Sequence, residues 1–325
     1  MSKRNLLKHI IAVGGTKSEQ DILFDFLDAS EEEIPIMLEE LVNDDFLKVE
    51  YDFGQKIYKV STERIEVSYS AVNMFRQCEL KYYFAKVAKI QKPFGFPLYT
   101  GIVIHDALEK YKKGRLLEVL GKSDETQITS KELEALIYHM WRVQEERMSP
   151  EMLDGSRFEN EVEITRRLFV NYVHMHGDDF DPIEIEKWYD VPVINPYNDE
   201  PKNWHLRGKI DFELVKGKKI GDYKTSSGKK TQDWVDFETQ PGFYALLLGV
   251  KNLEFVYEIL NKKAKTPKAM FQRLTTYVDE QKVFQAYRMI EDFVNRALTG
   301  NCAWLPSRGE HCNYMCSYKE ECIRW

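Results

Sequence analysis

Long apolar runs are missing from this chain of 325 residues, which is 43% hydrophobic and 30% charged. No stretch approaches the roughly 20 apolar residues that cross a bilayer, so the sequence predicts a protein without a membrane span. Near the start of the chain, Lys8 and His9 interrupt the apolar stretch, and no secretory signal is predicted. We therefore expect a cytoplasmic protein, whose thiols stay reduced.

A net positive charge is also missing, since the formal net charge is −7. This excludes a uniformly basic nucleic-acid coat, although local charge still decides what binds where. Residues 216–230 contain six lysines and one acid, and residues 262–273 contain five basic residues and no acid. Lys229, Lys230 and Lys262 are therefore candidate contacts for a polyanion. The alternative is that both stretches are ordinary solvated turns.

Cysteine is scarce, with five residues, and a reducing compartment makes disulfides unexpected. Cys312, Cys316 and Cys322 are spaced C-x3-C-x5-C. Three such thiolates and a remote fourth can hold a tetrahedral Zn²⁺ or a four-iron cluster. Zinc modules usually pair two local knuckles, so a single triplet with a distant partner favours iron–sulfur. Cys78 is the favoured fourth ligand, and Cys302 is the local alternative.

The first 62 residues predict a small α+β domain that looks like a winged helix. Apolar spacing predicts three helices, over residues 3–13, 17–29 and 31–44, and two strands follow around Phe53-Gly54. The third helix would be the recognition helix, yet residues 30–45 contain seven acidic residues and no basic one. Because phosphates attract positive charge, this favours a protein partner or a structural role over duplex DNA.

In the remaining region, residues 63–325, the spacing of apolar residues predicts helices first, then strands, and then helices and strands in alternation. Helices are expected near Ser70 and Gly101, and a helical insertion is expected over residues 115–180, with helices at 130–148 and 156–176. From Glu186 the apolar period changes to two, which predicts three successive strands, over 186–194, 204–215 and 218–225. Later elements are a helix at 232–249, strands at 253–260 and 270–277, and a helix at 279–298. A cysteine-rich segment, residues 302–325, follows. The order predicts an α/β domain.

Two carboxylates and a lysine mark the candidate catalytic site. Asp211 precedes a Lys-Gly-Lys-Lys turn, and Asp222-Tyr223-Lys224 ends the next predicted strand. Antiparallel pairing would bring both carboxylates and the ammonium together. Mg²⁺ and Mn²⁺ prefer hard oxygen donors, and a nearby lysine can orient water or offset transition-state charge. The pattern predicts phosphodiester hydrolysis at a divalent-metal site. The alternative is a hairpin with solvated charges.

Four residues elsewhere could complete this site. His105 is a metal-ligand candidate if its helix faces the Asp211 hairpin, and Glu186 could bind the metal or an outer-shell water. Gln240 and Tyr244 lie four residues apart on one helical face, where they could contact nucleic acid. For each of the four, the alternative is an ordinary structural or exposed side chain.

The ordered set of motifs resembles the RecB-like iron–sulfur branch of the PD-(D/E)XK nucleases. That branch includes AddB-type nuclease domains and the CRISPR-associated exonuclease that processes spacers. The resemblance covers roughly residues 66–325. The motifs occur in the family's order: SYS before Cys78, GIVIH with His105, GKID with Asp211, DYK with Lys224, QPGFY, and the final cysteine triplet.

The resemblance implies a restriction-endonuclease-like core, in which helices flank a mixed sheet. It also implies that Mg²⁺ or Mn²⁺ is bound by His105, Asp211, Asp222 and the Tyr223 carbonyl, that Lys224 is catalytic, and that Gln240 and Tyr244 contact DNA. The cysteines implied to hold a 4Fe-4S cluster are Cys78, Cys312, Cys316 and Cys322.

The function implied is a metal-dependent DNA nuclease, expected to act as an exonuclease on single-stranded or frayed ends. The alternative is a non-catalytic DNA-end-binding subunit that uses the same fold as a clamp. No GxxxxGK[ST] loop occurs in the sequence, so no helicase motor is expected in this chain.

Overall fold

The structure is a computed structural model, and the statements below concern the part of the chain that it describes. The described residues are 6, 16–18, 22, 33–43, 47–52, 55–60, 65–92, 95–119, 129–153, 155–177, 179, 182–298, 302–307, 309, 312 and 316–324.

In the described residues of the N-terminal region, a three-stranded antiparallel sheet is accompanied by the helix Glu33–Asn43. The sheet order is β1–β3–β2, and the elements are β1 (Thr16–Ser18), α1 (Glu33–Asn43), β2 (Leu47–Asp52) and β3 (Gln55–Val60). Their buried apolar side chains, among them Leu38 and Tyr58, form a cluster of their own. The third predicted helix and the two strands agree with the sequence analysis.

The second predicted helix, over residues 17–29, is wrong at its start. Lys17 and Ser18 lie in β1, which pairs with β3, because pairing with a neighbouring strand overrides a weak local helical period. Most of the predicted helices 3–13 and 17–29 lies outside the described residues. The winged-helix domain therefore stays a prediction.

The main region is built on a six-stranded mixed sheet. Five of the strands follow the order β4–β6–β7–β8–β9, and the sixth strand, β5, also pairs with β6. The β4–β6 and β7–β8 pairs are parallel, and the other pairs are antiparallel. The strands are β4 (Ile65–Ser68), β5 (Glu184–Ile194), β6 (Pro201–Val215), β7 (Lys219–Ser226), β8 (Leu253–Asn261) and β9 (Phe271–Val278). The strands predicted from the sequence are all present.

Strand β6 is the element around which the site is arranged. Its 15 residues pair along one edge with β5, and along the other edge first with β4 and then with β7. Asp211 lies in the second half, where β6 runs between β5 and β7. A residue at this position can therefore meet side chains from both neighbouring strands.

Helices cover both faces of the sheet, as predicted for an α/β domain. They are α2 (Tyr69–Gln77), α3 (Glu79–Tyr82), α4 (Phe96–Val119), α5 (Ser130–Glu145), α6 (Pro150–Leu153), α7 (Ser156–His176), α8 (Gln232–Phe237), α9 (Gln240–Leu248), α10 (Pro267–Met270), α11 (Glu280–Phe293) and α12 (Lys319–Arg324). Two short π-helical segments, Tyr83–Val87 and Val294–Leu298, extend α3 and α11. No helix within the described ranges is both long and apolar enough to span a membrane.

Two clusters of buried apolar side chains cover the main sheet, one on each face. One cluster contains residues of α2, α9 and α11, and the other contains residues of α4, α5 and α7. Trp141 of α5 and Tyr172 of α7 belong to the same cluster as Phe212 and Tyr223 of the sheet. The helices of the predicted insertion therefore pack directly on the strands that carry the candidate site.

Two predicted helices have different bounds in the structure. Helix α4 begins at Phe96, before the predicted start near Gly101, and Pro97 in its first turn is a usual start signal. The predicted helix 232–249 is two helices, because Glu238 is extended and a new helix begins at Gln240, with Pro241 in its first turn. Proline lacks the N–H that a continuous helix would need there.

Candidate metal and catalytic site

The β6–β7 hairpin brings Asp211 and Asp222 opposite each other. Phe212 pairs with Gly221, and the two aspartates are the next residues along their strands. A Cβ at Gly221 would lie 2.1 Å from the Phe212 ring, so the absence of a side chain is what permits this approach. The backbone N–H of Tyr223 donates to Oδ2 of Asp211 at 2.8 Å. The predicted antiparallel pairing of these two strands is confirmed.

The Asp222 side chain is buried and contacts one cationic side chain and one polar side chain. Its Oδ2 lies 2.6 Å from Nζ of Lys224, and its Oδ1 accepts from Nε2 of Gln240 at 2.8 Å. Burial raises the pKa of the Asp222 carboxyl, and the attraction of Lys224 offsets part of that rise. Burial alone would lower the pKa of Lys224, but the charge of Asp222 outweighs it and raises that pKa. The lysine is therefore held as an ammonium beside the carboxylate.

Helix α4 faces this hairpin, which is the condition for His105 to be a ligand. Nδ1 of His105 lies 3.1 Å from Oδ2 of Asp211. Burial alone would lower the pKa of His105, but the charge of Asp211 outweighs it and raises that pKa. Burial would raise the pKa of Asp211, yet His105 and the Tyr223 N–H outweigh it and lower that pKa. The pair therefore favours an imidazolium beside a carboxylate.

Glu186 lies on the far side of Asp211 from β7. Potential ligand atoms of His105, Glu186 and Asp211 all lie within 4.8 Å of one another. One imidazole and two carboxylates form a donor set that suits a divalent cation. The ammonium of Lys209 forms an ion pair with the Glu186 carboxylate and lies 3.5 Å from Oε2 of Glu109.

Gln240 and Tyr244 are buried behind the carboxylates. Nε2 of Gln240 lies 3.1 Å from the Tyr244 hydroxyl, which donates to the carbonyl of Lys209 at 2.9 Å. Gln240 also donates to Asp222, as described above. In this geometry the two side chains position the β6–β7 hairpin. Their contact with DNA stays a prediction.

The lysine-rich stretches meet at one edge of the sheet. β7 and β8 are parallel and end together, and the N–H of Lys262 donates to the carbonyl of Ser226 at 2.8 Å. Lys229, Lys230 and Lys262 therefore lie past the same strand ends. The lysines between residues 216 and 219 lie at the opposite end of β7, so the first lysine-rich stretch is divided between two places.

Four of the five cysteines line one cavity of 430 Å³, and Cys302 is not among its lining residues. The four are Cys78, Cys312, Cys316 and Cys322. Sγ of Cys78 accepts from the N–H groups of Lys81 and Ser307, at 3.4 and 3.5 Å. Cys302 instead donates to Glu79 at 3.3 Å, and burial raises the pKa of its thiol. The structure therefore brings Cys78, and not Cys302, to the cysteine triplet.

The sequence analysis did not identify Lys209 and Glu109 as part of the site. Glu109 lies four residues after His105 and so on the same face of α4, and Lys209 lies two residues before Asp211 on β6. These two spacings in the sequence were the signal from which both residues could have been predicted as neighbours of the site.

Comparison with models of known protein families gives a match over most of the chain. The model of the PD-(D/E)XK nuclease superfamily matches residues 66–323. Among solved structures, the crystal structure of SSO0001 is similar, with 15% sequence identity and a TM-score of 0.30. That similarity covers 66% of this chain and 95% of the other. No curated protein matches.

Proposed function

The chain belongs to the PD-(D/E)XK nuclease superfamily, and we propose that it is a metal-dependent DNA exonuclease of the RecB-like iron–sulfur branch. The observation that carries this proposal is the convergence of Asp211, Asp222 and Lys224 on one hairpin that faces His105. We propose single-stranded or frayed DNA ends as its substrate.

The residues present fit a divalent cation. His105, Asp211, Asp222 and the Tyr223 carbonyl would hold Mg²⁺ or Mn²⁺, because they supply hard oxygen donors and one imidazole. When bound, the cation supplies Lewis-acid activation of water and of the scissile phosphate. Metal binding requires a neutral imidazole, so His105 would release the proton that Asp211 favours.

The protein's own groups would position the reactants. The Tyr223 N–H and His105 hold Asp211, and Gln240 holds Asp222. The Lys224 side chain is 34% exposed, so its ammonium can reach a bound phosphate while paired with Asp222. A cation fixed there can offset the charge that develops on the phosphate.

A groove beside the site supports the choice of a single strand. It has a volume of 280 Å³, and its lining residues include Ser68, Ser70, Trp188, Gln240 and Tyr244. Trp188 is 67% exposed, so its ring is accessible for stacking on an unpaired base. Serine hydroxyls commonly contact phosphates. A base within a duplex would have to unpair before it could stack on Trp188.

A 4Fe-4S cluster held by the four cavity cysteines is the second cofactor that we propose. Four sulfur donors around one cavity are the donor set of such clusters. Cys78 lies between α2 and α3, whereas Cys322 lies in α12, so a cluster would join distant parts of the domain. A cytoplasmic location, which we also propose, would keep these thiols reduced.

The experiment is cleavage of end-labelled single- and double-stranded DNA with Mg²⁺ or Mn²⁺. We expect Asp222→Asn and Lys224→Met each to reduce cleavage by roughly 100-fold or more, because each removes charge from the reacting centre. The matched control is Asp233→Asn, an exposed carboxylate in α8, which should cleave as the wild type does.

Wild-type rates in both active-site variants would contradict the proposal. DNA binding without cleavage by iron-loaded wild-type protein would instead support the alternative, a DNA-end clamp. The lengths of the labelled products would show whether cleavage starts from an end.

A further inference from the structure

We propose that Glu186 is a direct ligand of the catalytic metal, in addition to His105, Asp211 and Asp222. This inference rests on the metal-dependent nuclease proposed above. It assigns to Glu186 a role in metal affinity that is separate from its ion pair with Lys209.

Glu186 is placed beside Asp211 by the register of β5 on β6. Ile185 pairs with Phe212 and Lys187 pairs with Ile210, so Glu186 lies opposite Asp211. With His105 entering from α4, the three potential ligand atoms lie within 4.8 Å of one another. A single cation can be contacted by atoms at such separations, since metal–oxygen bonds are about 2.0–2.6 Å long.

The backbone of Glu186 is in the left-handed region, with φ of +51°. That conformation is unfavourable for a residue with a Cβ and rare within a strand. Such strain persists where the surrounding structure holds a side chain in a functional position. Here the pairs on either side of Glu186 are kept, and the side chain at the strained residue belongs to the candidate ligand group.

The Glu186 carboxylate is buried and needs a cation. Its side chain is 5% exposed, and the ammonium of Lys209 compensates its charge. Lys209 has a second acidic neighbour, Oε2 of Glu109 at 3.5 Å. When a divalent cation binds Glu186, the ammonium can therefore remain paired with Glu109. The metal would thus replace the Lys209 ammonium beside Glu186, and the carboxylates of Glu186 and Glu109 would each keep a cation next to them.

The first test is Mn²⁺ affinity, measured by isothermal titration calorimetry on the full chain. We expect Glu186→Gln to weaken Mn²⁺ binding roughly 10-fold or more. The matched control is Glu184→Gln, which removes another ion-paired carboxylate of β5 but no proposed ligand and no partner of Lys209, and its affinity should stay near that of the wild type. Equal affinities in the wild type and Glu186→Gln would overturn the inference.

Two further variants separate direct ligation from an indirect effect. Glu186→Cys should raise affinity for Cd²⁺ relative to Mn²⁺, because a thiolate ligand prefers the softer ion, whereas Glu184→Cys should not. The same ratio of affinities in both cysteine variants would contradict direct ligation. Glu186→Gly accepts the left-handed backbone and should fold at least as well as the wild type while losing Mn²⁺ affinity.

The outcomes also distinguish this inference from the proposed function. Wild-type protein that cleaves DNA, together with unchanged Mn²⁺ affinity in Glu186→Gln, would remove Glu186 from the site and leave the nuclease intact. Wild-type protein that binds no Mn²⁺ and cleaves no DNA would overturn the proposed function itself.

Discussion

Gly221 controls how closely β6 and β7 approach at the candidate site. Its missing side chain leaves room for the Phe212 ring and for the carbonyl of Val256. We expect Gly221→Ala to lower the free energy of unfolding by roughly 1–3 kcal/mol, because overpacking forces the ring or the strand to move. Cleavage should also fall, since the neighbouring Asp222 would move with the strand.

Urea unfolding and cleavage assays on the same preparations measure both effects. Gly228→Ala is the matched control, because a Cβ at Gly228 would meet no atom within 4 Å. Equal losses of stability in the two variants would show that the close approach to Phe212 does not matter.

Residues that act within one hairpin could be predicted from local strand pairing, and His105, Glu186 and Gln240 were candidates from other elements. The ion pairs of Lys209 with Glu186 and Glu109 could not be predicted. Asp211, Asp222 and Lys224 follow from the pairing of two neighbouring strands, a local property of the sequence. The ion pairs of Lys209 depend on how β5 and α4 pack around β6. Packing of that kind leaves only a weak signal in spacing. The assignments of metal, cluster and DNA ligands stay predictions.

Among the secondary-structure elements, α3 and α12 are linked by the cysteine-lined cavity. We expect protein purified without oxygen to absorb near 400 nm and to contain iron, as four thiolate ligands around one cavity would provide. Cys78→Ser should lose most of the iron and the absorbance. Cys302→Ser should keep both, because its thiol contacts Glu79 outside the cavity.

Iron content and the absorbance spectrum are the measurements. The reverse result, with iron lost in Cys302→Ser and kept in Cys78→Ser, would assign the fourth ligand to Cys302. A colourless wild-type protein that contains zinc would rule out an iron–sulfur cluster as the main cofactor.

Element types were predicted better than element ends. The strands from Glu184 to Val278 agree with the alternating apolar pattern, since one strand period is clear over a few residues. The break between α8 and α9 lies just before Pro241, and the apolar spacing that predicted one helix over 232–249 does not register the missing N–H of a proline. The start of β1 depends on a partner strand, which local periodicity does not reveal.

For the whole molecule, the N-terminal sheet has its own apolar cluster, distinct from the two that surround the main sheet. We therefore expect a chain of residues 63–325 to fold and to cleave DNA at close to the full-length rate. Circular dichroism and the cleavage assay would check this. Loss of folding in the shortened chain would show that the two regions depend on each other.

The N-terminal region is our candidate for binding a protein partner. Leu38 and Leu41 of α1 are buried in its cluster, whereas Glu39 and Glu40 are exposed. Negative charge on this helix disfavours duplex DNA and suits a basic protein surface. The shortened chain should therefore lose a partner without losing catalysis.

The cavity between Cys78 and the C-terminal segment has a consequence for synthesis on the ribosome. Cys78 and Ser307 are in contact although 229 residues separate them in sequence. The strands that carry Asp211 and Asp222 emerge from the ribosome before Ser307 does. A nascent chain can therefore pair its catalytic strands while the cavity is still open, and contacts so distant in sequence form late and slowly.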